Sequence, residues 1–301
     1  MKTFTKISLI VAGISLSIGI VLTAIGTLAN KGKPIRMYYD HGFHLDSEGK
    51  ICEMKKTVVD DFSDIKINVP ESDIVFIESD EYAVEYRIRS IEVICESEDG
   101  TLNINTNRRK FDINLGIFNF SNEDLYVYVY YPKGAEFGIV DLDTSAGDLK
   151  IEDGFTCEKL IVDLSAGEAD IKNVKGDLDV DMSAGDFDAD DCEFGHTVFD
   201  LSAGDVSLRN CTIGGGKVDM SAGSFDAKDL ILLDDFDMDL SAGSVEIKFV
   251  DGQKIGYDFD LSAGSATING EKRGDEFTMK DGYDIILSAD ISAGSINIVN
   301  K

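Results

Sequence analysis

The chain has 301 residues, of which 43% are hydrophobic, a share that is ordinary for folded proteins and excludes a wholly disordered chain. Its 57 acidic and 28 basic residues give a formal net charge of -29, and residues 141–301 alone hold 36 of the acids and 13 of the bases. Such a surface repels phosphates, so we predict no nucleic-acid partner. Cations, basic proteins and a hydrated cell envelope are more natural neighbours, although the acids also suffice to keep a repetitive β surface soluble.

The first element along the chain is an uncharged apolar run at residues 7–29, which follows a short tail at residues 1–6. A helix rises about 1.5 Å per residue, so this run is long enough to cross a hydrocarbon core about 30 Å thick. We predict a transmembrane helix or an uncleaved signal anchor, and hence a membrane location. Thr27 and Ala29 also fit a cleaved signal peptide. Basic residues flank both ends of the run, so charge alone does not orient it.

Residues 30–56 are mixed in composition and are predicted to form a juxtamembrane linker. From about residue 57 the pattern changes to alternation of period two, as at Ile65, Ile67 and Val69, with turn-forming clusters between the alternating runs. This pattern is typical of strands joined by turns. We therefore predict that residues 57–140 form an N-terminal β segment of a larger β domain.

One strand of that segment carries a stripe of tyrosines. Val127 and Val129 occupy one face of the strand, and the other face holds Tyr126, Tyr128 and Tyr130. Such a stripe either stacks on a sugar or is covered by a neighbouring loop, for which the aromatic segment 118–120 is the candidate.

The rest of the chain, residues 141–301, repeats the tripeptide Ser-Ala-Gly eight times. Successive serines are separated by 20, 18, 19, 19, 20, 21 and 30 residues. The serines are Ser145, Ser165, Ser183, Ser202, Ser221, Ser241, Ser262 and Ser292. A fixed period of this length indicates units that bury their apolar faces only by stacking. We predict an all-β fold, a parallel single-chain β-solenoid with coils of about 19–20 residues, preceded by the transmembrane helix.

Alternation within one copy assigns a role to the tripeptide. Val162 and Leu164 face inward, and the inward phase slips by one residue at Gly167, which predicts a bend there. Ser-Ala-Gly is therefore interpreted as a corner of each coil, with alanine as the small inward side chain. The predicted corner glycines are Gly147, Gly167, Gly185, Gly204, Gly223, Gly243, Gly264 and Gly294. The long last gap contains residues 271–275, which we expect to protrude as a loop or hairpin.

An aspartate stands two places before every repeat serine. These residues are Asp143, Asp163, Asp181, Asp200, Asp219, Asp239, Asp260 and Asp290. Stacked at strand spacing, neighbouring carboxylates repel each other by up to about 1 kcal/mol. Serine hydroxyls or salt would relieve that repulsion, and so would calcium, which remains an open alternative for a cation ladder. The acidic residue after the glycine changes to serine in the last four copies, which argues against a strict metal site. No catalytic group and no cofactor are predicted.

Two of the five cysteines, Cys192 and Cys211, each follow a repeat glycine by seven residues. Val174, Leu230 and Val250 hold the same place in other copies, so we predict that both cysteines are small core hydrophobes. A disulfide between them is the weaker alternative.

The order of these elements resembles a known family. A membrane-spanning start precedes an alternating β segment, the strand and turn Tyr-Val-Tyr-Tyr-Pro-Lys-Gly, and then Thr-Ser-Ala-Gly-Asp-Leu-Lys-Ile with its repeats. Over roughly residues 57–301 the chain is similar to the bacterial putative-adhesin family of β-strand-repeat proteins, whose domain has no known function. The resemblance implies a β-solenoid, often membrane-anchored and outside the cell, without catalytic residues. Some relatives are linked to envelope-stress signalling.

We therefore expect a single-pass, non-enzymatic membrane protein whose extracellular β domain acts as an adhesin or envelope-interaction domain. Its partner would be a cell-envelope component or another membrane protein. The alternative is a sensor of envelope stress that acts through a membrane partner. A calcium-dependent, polysaccharide-active β-helix enzyme is disfavoured, because seven of the coils have short connections that leave little room for a cleft.

Overall fold

The computed structural model describes residues 36–39, 43–46, 51–90, 92–106, 112–114, 124–152 and 154–300. These described residues fall into two compact units, the first made of those up to residue 51 with those within 89–92 and 112–124, and the second made of the rest. The described residues form strands and turns without any helix, which confirms the predicted all-β fold for this part of the chain. No helix there is long and apolar enough to cross a membrane, and the predicted span at 7–29 lies outside the described residues.

The strands, in chain order, are β1 (Arg36–Tyr39), β2 (Phe43–Asp46), β3 (Ile51–Val58), β4 (Asp64–Glu71), β5 (Asp73–Ser79), β6 (Ala83–Arg89), β7 (Val93–Glu98), β8 (Thr101–Thr106), β9 (Asp112–Asn114), β10 (Tyr126–Pro132), β11 (Glu136–Ala146), β12 (Leu149–Ile151) and β13 (Thr156–Leu164). They continue with β14 (Gly167–Lys172), β15 (Lys175–Met182), β16 (Gly185–Asp190), β17 (Glu193–Leu201), β18 (Gly204–Arg209), β19 (Thr212–Leu232), β20 (Phe236–Phe249), β21 (Ile255–Leu261), β22 (Gly264–Ile268), β23 (Glu271–Arg273), β24 (Glu276–Met279), β25 (Ile285–Ile291) and β26 (Gly294–Val299).

In the first unit, β1 is the middle strand of a small antiparallel sheet. Arg36 pairs with Asp46 of β2 on one side and with Asn114 of β9 on the other.

The second unit contains a parallel β-solenoid with one coil for each Ser-Ala-Gly copy. Coils 1 to 4 are the strand pairs β11–β12, β13–β14, β15–β16 and β17–β18, coil 5 is β19, coil 6 is β20, coil 7 is β21–β22 and coil 8 is β25–β26. Coils 1 to 6 stack in chain order, each strand pairing in parallel with its equivalent in the next coil. Equivalent residues therefore form columns, because parallel strands lie about 4.8 Å apart.

Coil 8 breaks the chain order. Strand β25 pairs in parallel with β20 of coil 6 and with β21 of coil 7, so coil 8 lies between these two coils. Strands β23 and β24 then pair antiparallel with β22 and β21 along the other edge of coil 7. The expected hairpin at residues 271–275 is confirmed, since β23 follows β22 and pairs antiparallel with it. The expected protrusion is wrong, because β23 and β24 lie along coil 7 and supply the hydrogen bonds that the last coil edge would otherwise lack.

At the other end of the stack, an extra coil without Ser-Ala-Gly precedes coil 1. Strand β4 pairs in parallel with β11, and β5 pairs in parallel with β12. Beyond this coil, β4 pairs in parallel with β8, and β8 pairs antiparallel with β7. Strand β5 pairs in parallel with β10, β10 pairs antiparallel with β6, and β6 pairs with β3. The unit therefore changes from parallel to antiparallel pairing at both ends of its stack.

The inward columns form one continuous apolar core. Val162, Leu164, Ala169 and Ile171 are all buried, as the alternation predicted. Each fully buried Val, Leu or Ile side chain contributes about 1.5–3 kcal/mol. The expectation that the repeat alanine faces inward is wrong, because Ala166 is exposed, as is the alanine of every other copy. Four consecutive residues, Ser-Ala-Gly and the one after it, point away from the core, so the corner is wider than a one-residue slip.

A candidate interaction surface: the aspartate face

The eight repeat aspartates form a single ladder, called here the aspartate face. Coil by coil its order is Asp143, Asp163, Asp181, Asp200, Asp219, Asp239, Asp290 and Asp260, each in register with the next. Asn68 of the preceding coil extends the ladder at one end, and Glu276 of β24 extends it at the other. Eight strands spaced at about 4.8 Å give this surface a length of roughly 40 Å.

The chain uses few of these carboxylates for internal bonding. Asp143 accepts a hydrogen bond from the Asn68 side chain. Within the part of the chain that the structure describes, no side-chain hydrogen bond or ion pair is formed by Asp181, Asp200, Asp219, Asp239, Asp260 or Asp290, and these six are exposed. Their carboxylates repel one another and remain available to a partner in solution.

A second column of acids, called here the corner column, behaves differently. It consists of Asp73, Asp148, Glu168, Asp186 and Asp205, the residues that end each corner. Asp148 Oδ1 accepts the backbone N–H of Glu168 at 3.0 Å, and Asp205 Oδ1 accepts both the N–H and the hydroxyl of Ser224 at 2.8 and 2.7 Å. Asp73 and Asp186 accept the N–H of the next coil in the same way. Asp73, Asp148, Asp186 and Asp205 thus satisfy backbone amides at the point where the corner interrupts the ladder.

The repeat glycines lie beside the corner column and stack on one another. A Cβ at Gly204 would overlap the carbonyl oxygen of Gly185, and one at Gly223 would overlap that of Gly204. The backbone at Gly204 has φ +138°, a conformation that side chains rarely adopt. Glycine is therefore required at these corners both for the close stacking of coils and for the backbone conformation.

The opposite corner of coils 2 to 5 has another backbone conformation and no glycine. Asn173, Asp191, Asn210 and Asp229 adopt left-handed conformations with φ of 52–56°, and each precedes a buried residue. Asn and Asp tolerate this conformation better than other side chains, so they replace glycine here.

Those buried positions include the two repeat cysteines. Cys192 and Cys211 are each 1% exposed, in line with Val174 and Leu230, which confirms that they are core residues. Val250 does not share the place, because a register shift puts Phe249 opposite Leu230 and leaves Val250 exposed. Both cysteines are unpaired thiols. A hydrogen bond to Cys211 and burial raise the pKa of Cys192, and burial raises that of Cys157 to about 12.

Near the end of the stack the aspartate face contains a shallow depression of about 560 Å³. Its lining includes Asp219, Asp239, Asp290 and Asp260 from the ladder and Lys217 from the neighbouring column. Within the described ranges, no three acidic, histidine or cysteine side chains converge closely enough to hold a metal ion. Calcium binding therefore stays a prediction without a formed site behind it.

The tyrosine stripe lies on β10, between β5 and β6. The rings of Tyr126 and Tyr128 stack on each other at 4.3 Å, and Lys56 lies 4.3 Å from the ring centre of Tyr130. The Tyr126 and Tyr130 hydroxyls both donate to Glu85, at 3.1 and 3.3 Å. One face of each of the three rings is thus occupied by a neighbour, which weakens the sugar-stacking interpretation. Segment 118–120 lies outside the described residues.

Sequence reasoning missed the coil that precedes coil 1. In this coil Asp73 stands in register just before Ile74, as Asp148 stands before Leu149, and it makes the same bond to the next coil. The shared pattern of an acid followed by alternating apolar residues was the available signal. It was obscured because Pro70-Glu71-Ser72 replaces Ser-Ala-Gly.

Comparison with known proteins identifies the fold. The family model described as Toastrack DUF4097 matches residues 62–293. No curated protein matches the sequence.

Comparison with solved structures gives matches of low identity, with TM-scores below 0.5. One is described as a putative adhesin from Bacteroides fragilis, with 12% identity and a TM-score of 0.45, covering 83% of this chain and 97% of that one. A second, described as a putative adhesin from Parabacteroides distasonis, has 16% identity, a TM-score of 0.44 and coverages of 84% and 98%. A third, described as a putative lipid binding protein from the same species, has 14% identity, a TM-score of 0.37 and coverages of 84% and 97%. These similarities are too weak to transfer a function.

Proposed function

Because the chain belongs to the Toastrack DUF4097 family, as the sequence resemblance predicted, and the function of that family is unknown, we propose a role from the surface that the chain presents. The protein is a membrane-anchored, non-enzymatic component of the cell surface, and its solenoid binds a component of the cell envelope through the aspartate face. The membrane anchor is the apolar run at residues 7–29, and the β domain lies outside the cell.

The observation that carries this proposal is the persistence of the aspartate face. An aspartate occupies this position in all eight copies, although six of the carboxylates form no side-chain hydrogen bond or ion pair with any residue that the structure describes, and each repels its neighbours. Stability alone would favour a neutral side chain there. A flat, regularly spaced row of charges suits a repetitive or cationic partner that makes many weak contacts at once.

The repeat serines support a non-enzymatic role. Seven of them are exposed at the corners and Ser145 is half-buried, and nucleophilic catalysis there would require an adjacent general base. His196 contributes its backbone N–H to Asp177 at 2.9 Å and lies on β17, away from the Ser-Ala-Gly corners in sequence. The depression on the aspartate face is shallow and is lined by acids rather than by a nucleophile with its base.

Protease treatment of intact cells that produce the full chain tests the location. The expected result is cleavage of the β domain without lysis, whereas protection until lysis would overturn the surface location and the orientation.

Binding to isolated cell envelopes tests the surface. The full chain, purified in detergent, would be compared with Asp200→Asn/Asp219→Asn and with the control Glu158→Gln/Glu246→Gln, which removes two exposed charges elsewhere. We expect the ladder variant to bind more weakly than the control, with an affinity that falls as salt increases. Equal binding by both variants would show that the aspartate face is not the contact surface.

A further inference from the structure

The position of coil 8 creates a slot in the solenoid. In this coil, Asp290 is in register with both Asp239 and Asp260, and Gly294 is in register with both Gly243 and Gly264. The two walls of the slot are coil 6 and coil 7, and β23 and β24 cover the far edge of coil 7. Residues 236–279 therefore contain both walls, and the segment that fills the slot comes later in the chain.

Coil 8 is held by bonds to the walls along its whole length. Ser292 N donates to Leu240 O of coil 6 at 2.9 Å, and Ser262 N of coil 7 donates to Ile291 O at 3.0 Å. Its inward side chains are buried, among them Ile296. Coil 8 thus completes two hydrogen-bonded edges and a section of the core.

Side chains at both ends of coil 8 reinforce the fit. At its start, Ile286 N donates to Asp235 Oδ1 at 2.8 Å. At its end, Asn300 donates its backbone N–H to Asn269 Oδ1 at 2.8 Å and its side-chain amide to the Tyr257 hydroxyl at 3.0 Å. All these partners lie in residues 235–269, so the contacts depend on the walls and not on which chain supplies residues 285–300.

The connection into coil 8 is suited to a change of path. It is the turn at residues 280–284, in which Gly282 has φ +86° and Tyr283 N donates to Lys280 O at 3.1 Å. Asp281, Gly282 and Asp284 are exposed. A different course for residues 281–284 would leave the backbone pairing of coils 6, 7 and 8 intact, while Lys280 stays with coil 7 through its ion pair with Asp258.

The matching columns would also let coil 7 pair directly with coil 6 if coil 8 left the slot. Coil 7 offers Asp260, Gly264 and Ile268 at the places where coil 8 offers its own aspartate, glycine and isoleucine. Coil 7 can therefore stack directly on coil 6 in the same register, which compensates part of the loss when coil 8 leaves.

We propose that residues 285–300 exchange between two copies of this chain, so that coil 8 of each copy fills the slot of the other. The exchanged pair has the same contacts as two separate copies, so the balance depends on the turn and on the concentration of the chain. Anchoring in one membrane would raise the effective concentration of the copies and favour exchange. The inference concerns the partner of coil 8 and stands independently of the aspartate face.

Cysteine pairs placed across the slot test the exchange. Ser244 of coil 6 and Ser295 of coil 8 are register partners, at a separation that a disulfide can bridge. Full-length Ser244→Cys and Ser295→Cys chains would be mixed in denaturant, refolded together in detergent and oxidised with diamide. Mass spectrometry would then identify linked peptides. We expect a bond between positions 244 and 295 of different copies, with a yield that rises with protein concentration as for a bimolecular product.

Two controls make the outcome decisive. The double variant Ser244→Cys/Ser295→Cys, refolded when dilute, should form the bond within one chain and so show that the positions are competent. The mixed variants Ser207→Cys and Asp226→Cys, register partners in coils 4 and 5, should give little bond between copies. The proposal is wrong if the 244–295 bond between copies is absent at every concentration while the double variant forms it. It is equally wrong if the coil 4 and 5 pair links copies as efficiently.

Discussion

The corner column and the aspartate face contain the same chemical group at the same coil spacing, but they differ in how many of their side chains bond to a neighbouring coil. Asp205 accepts the backbone N–H and the hydroxyl of Ser224, whereas Asp200, five residues earlier, makes no side-chain hydrogen bond or ion pair within the described chain. The position that changes from acid to serine is the one that joins neighbouring coils. The position that never changes contributes no side-chain bond to the described part of the fold in six of its eight copies.

This difference shows that repetition within a sequence does not by itself distinguish structural residues from functional ones. The corner tolerates serine because a hydroxyl can donate to the acid of the preceding coil, as Ser224 does. The aspartate face has no such internal reason for its uniformity, so its repulsion is best explained by something outside the chain.

The largest expected effect is at the corner itself. Gly204→Ala should lower the free energy of unfolding by at least about 3 kcal/mol, because the added Cβ meets the Gly185 carbonyl and the backbone has φ +138°. Gly134→Ala is the control, since φ there is +76° and nothing lies within 4 Å of the added Cβ, so it should cost about 1–2 kcal/mol. Urea unfolding measures both. Equal losses would mean that close stacking is not what requires glycine.

The next effect is at the acid of the corner. Asp205→Ala removes the acceptor of two hydrogen bonds and should lower the free energy of unfolding by about 1 kcal/mol. The loss is no larger because the site is exposed and water can replace the acceptor. Asp205→Asn keeps an acceptor oxygen and should cost less. Asp200→Ala on the aspartate face should not lower stability. If Asp205→Ala and Asp200→Ala have the same effect in urea unfolding, the distinction between the two columns fails.

A smaller effect, a gain in stability, is expected when charges are removed from the aspartate face. Asp200→Asn/Asp219→Asn should raise the free energy of unfolding by about 0.2–1 kcal/mol at low salt, because two neighbouring like charges are removed. The gain should shrink in 1 M NaCl, where exposed charges are screened within about 3 Å. Thermal unfolding at the two salt concentrations measures it. A loss of stability would show that these carboxylates have an unrecognised structural partner.

The smallest effect concerns the pH dependence of the corner column. Burial, followed by the charges of Asp188, Asp148, Asp170 and Asp186, raises the pKa of Glu168 above its ordinary value of 4.5. A raised pKa means that the folded state disfavours the charged form, so this penalty is present at neutral pH and disappears as the pH falls through the raised pKa.

Glu168→Gln should therefore be more stable than the natural chain at pH 7, and the difference should vanish below about pH 4. Thermal unfolding between pH 3 and pH 8 checks this prediction. A difference that grows on acidification would have the wrong sign.

Much of the solenoid could be predicted because its information is local and repeated. The alternation at Val162 and Leu164 fixes which side chains enter the core, and the spacing of Gly167 and its equivalents fixes where each coil turns. The outward position of Ala166 could not be predicted by extending the alternation, because the corner places four residues outside in succession. The bonds of the corner column were also missed, since they join residues 19 or 20 positions apart and become visible only once the register is known.

The sequence by itself determined the all-β class, the number of Ser-Ala-Gly coils, the buried columns and the existence of a charged ladder. Each follows from residue type and period, which are properties of the chain alone. Only the tertiary structure decided the order of the last two coils and the antiparallel strands at both ends of the stack. The reason is that coils 7 and 8 carry the same repeat residues, so the sequence does not distinguish Asp260 from Asp290 as the neighbour of Asp239. The order of the two coils depends on the path of the chain across the stack and on which coil edge β23 and β24 cover.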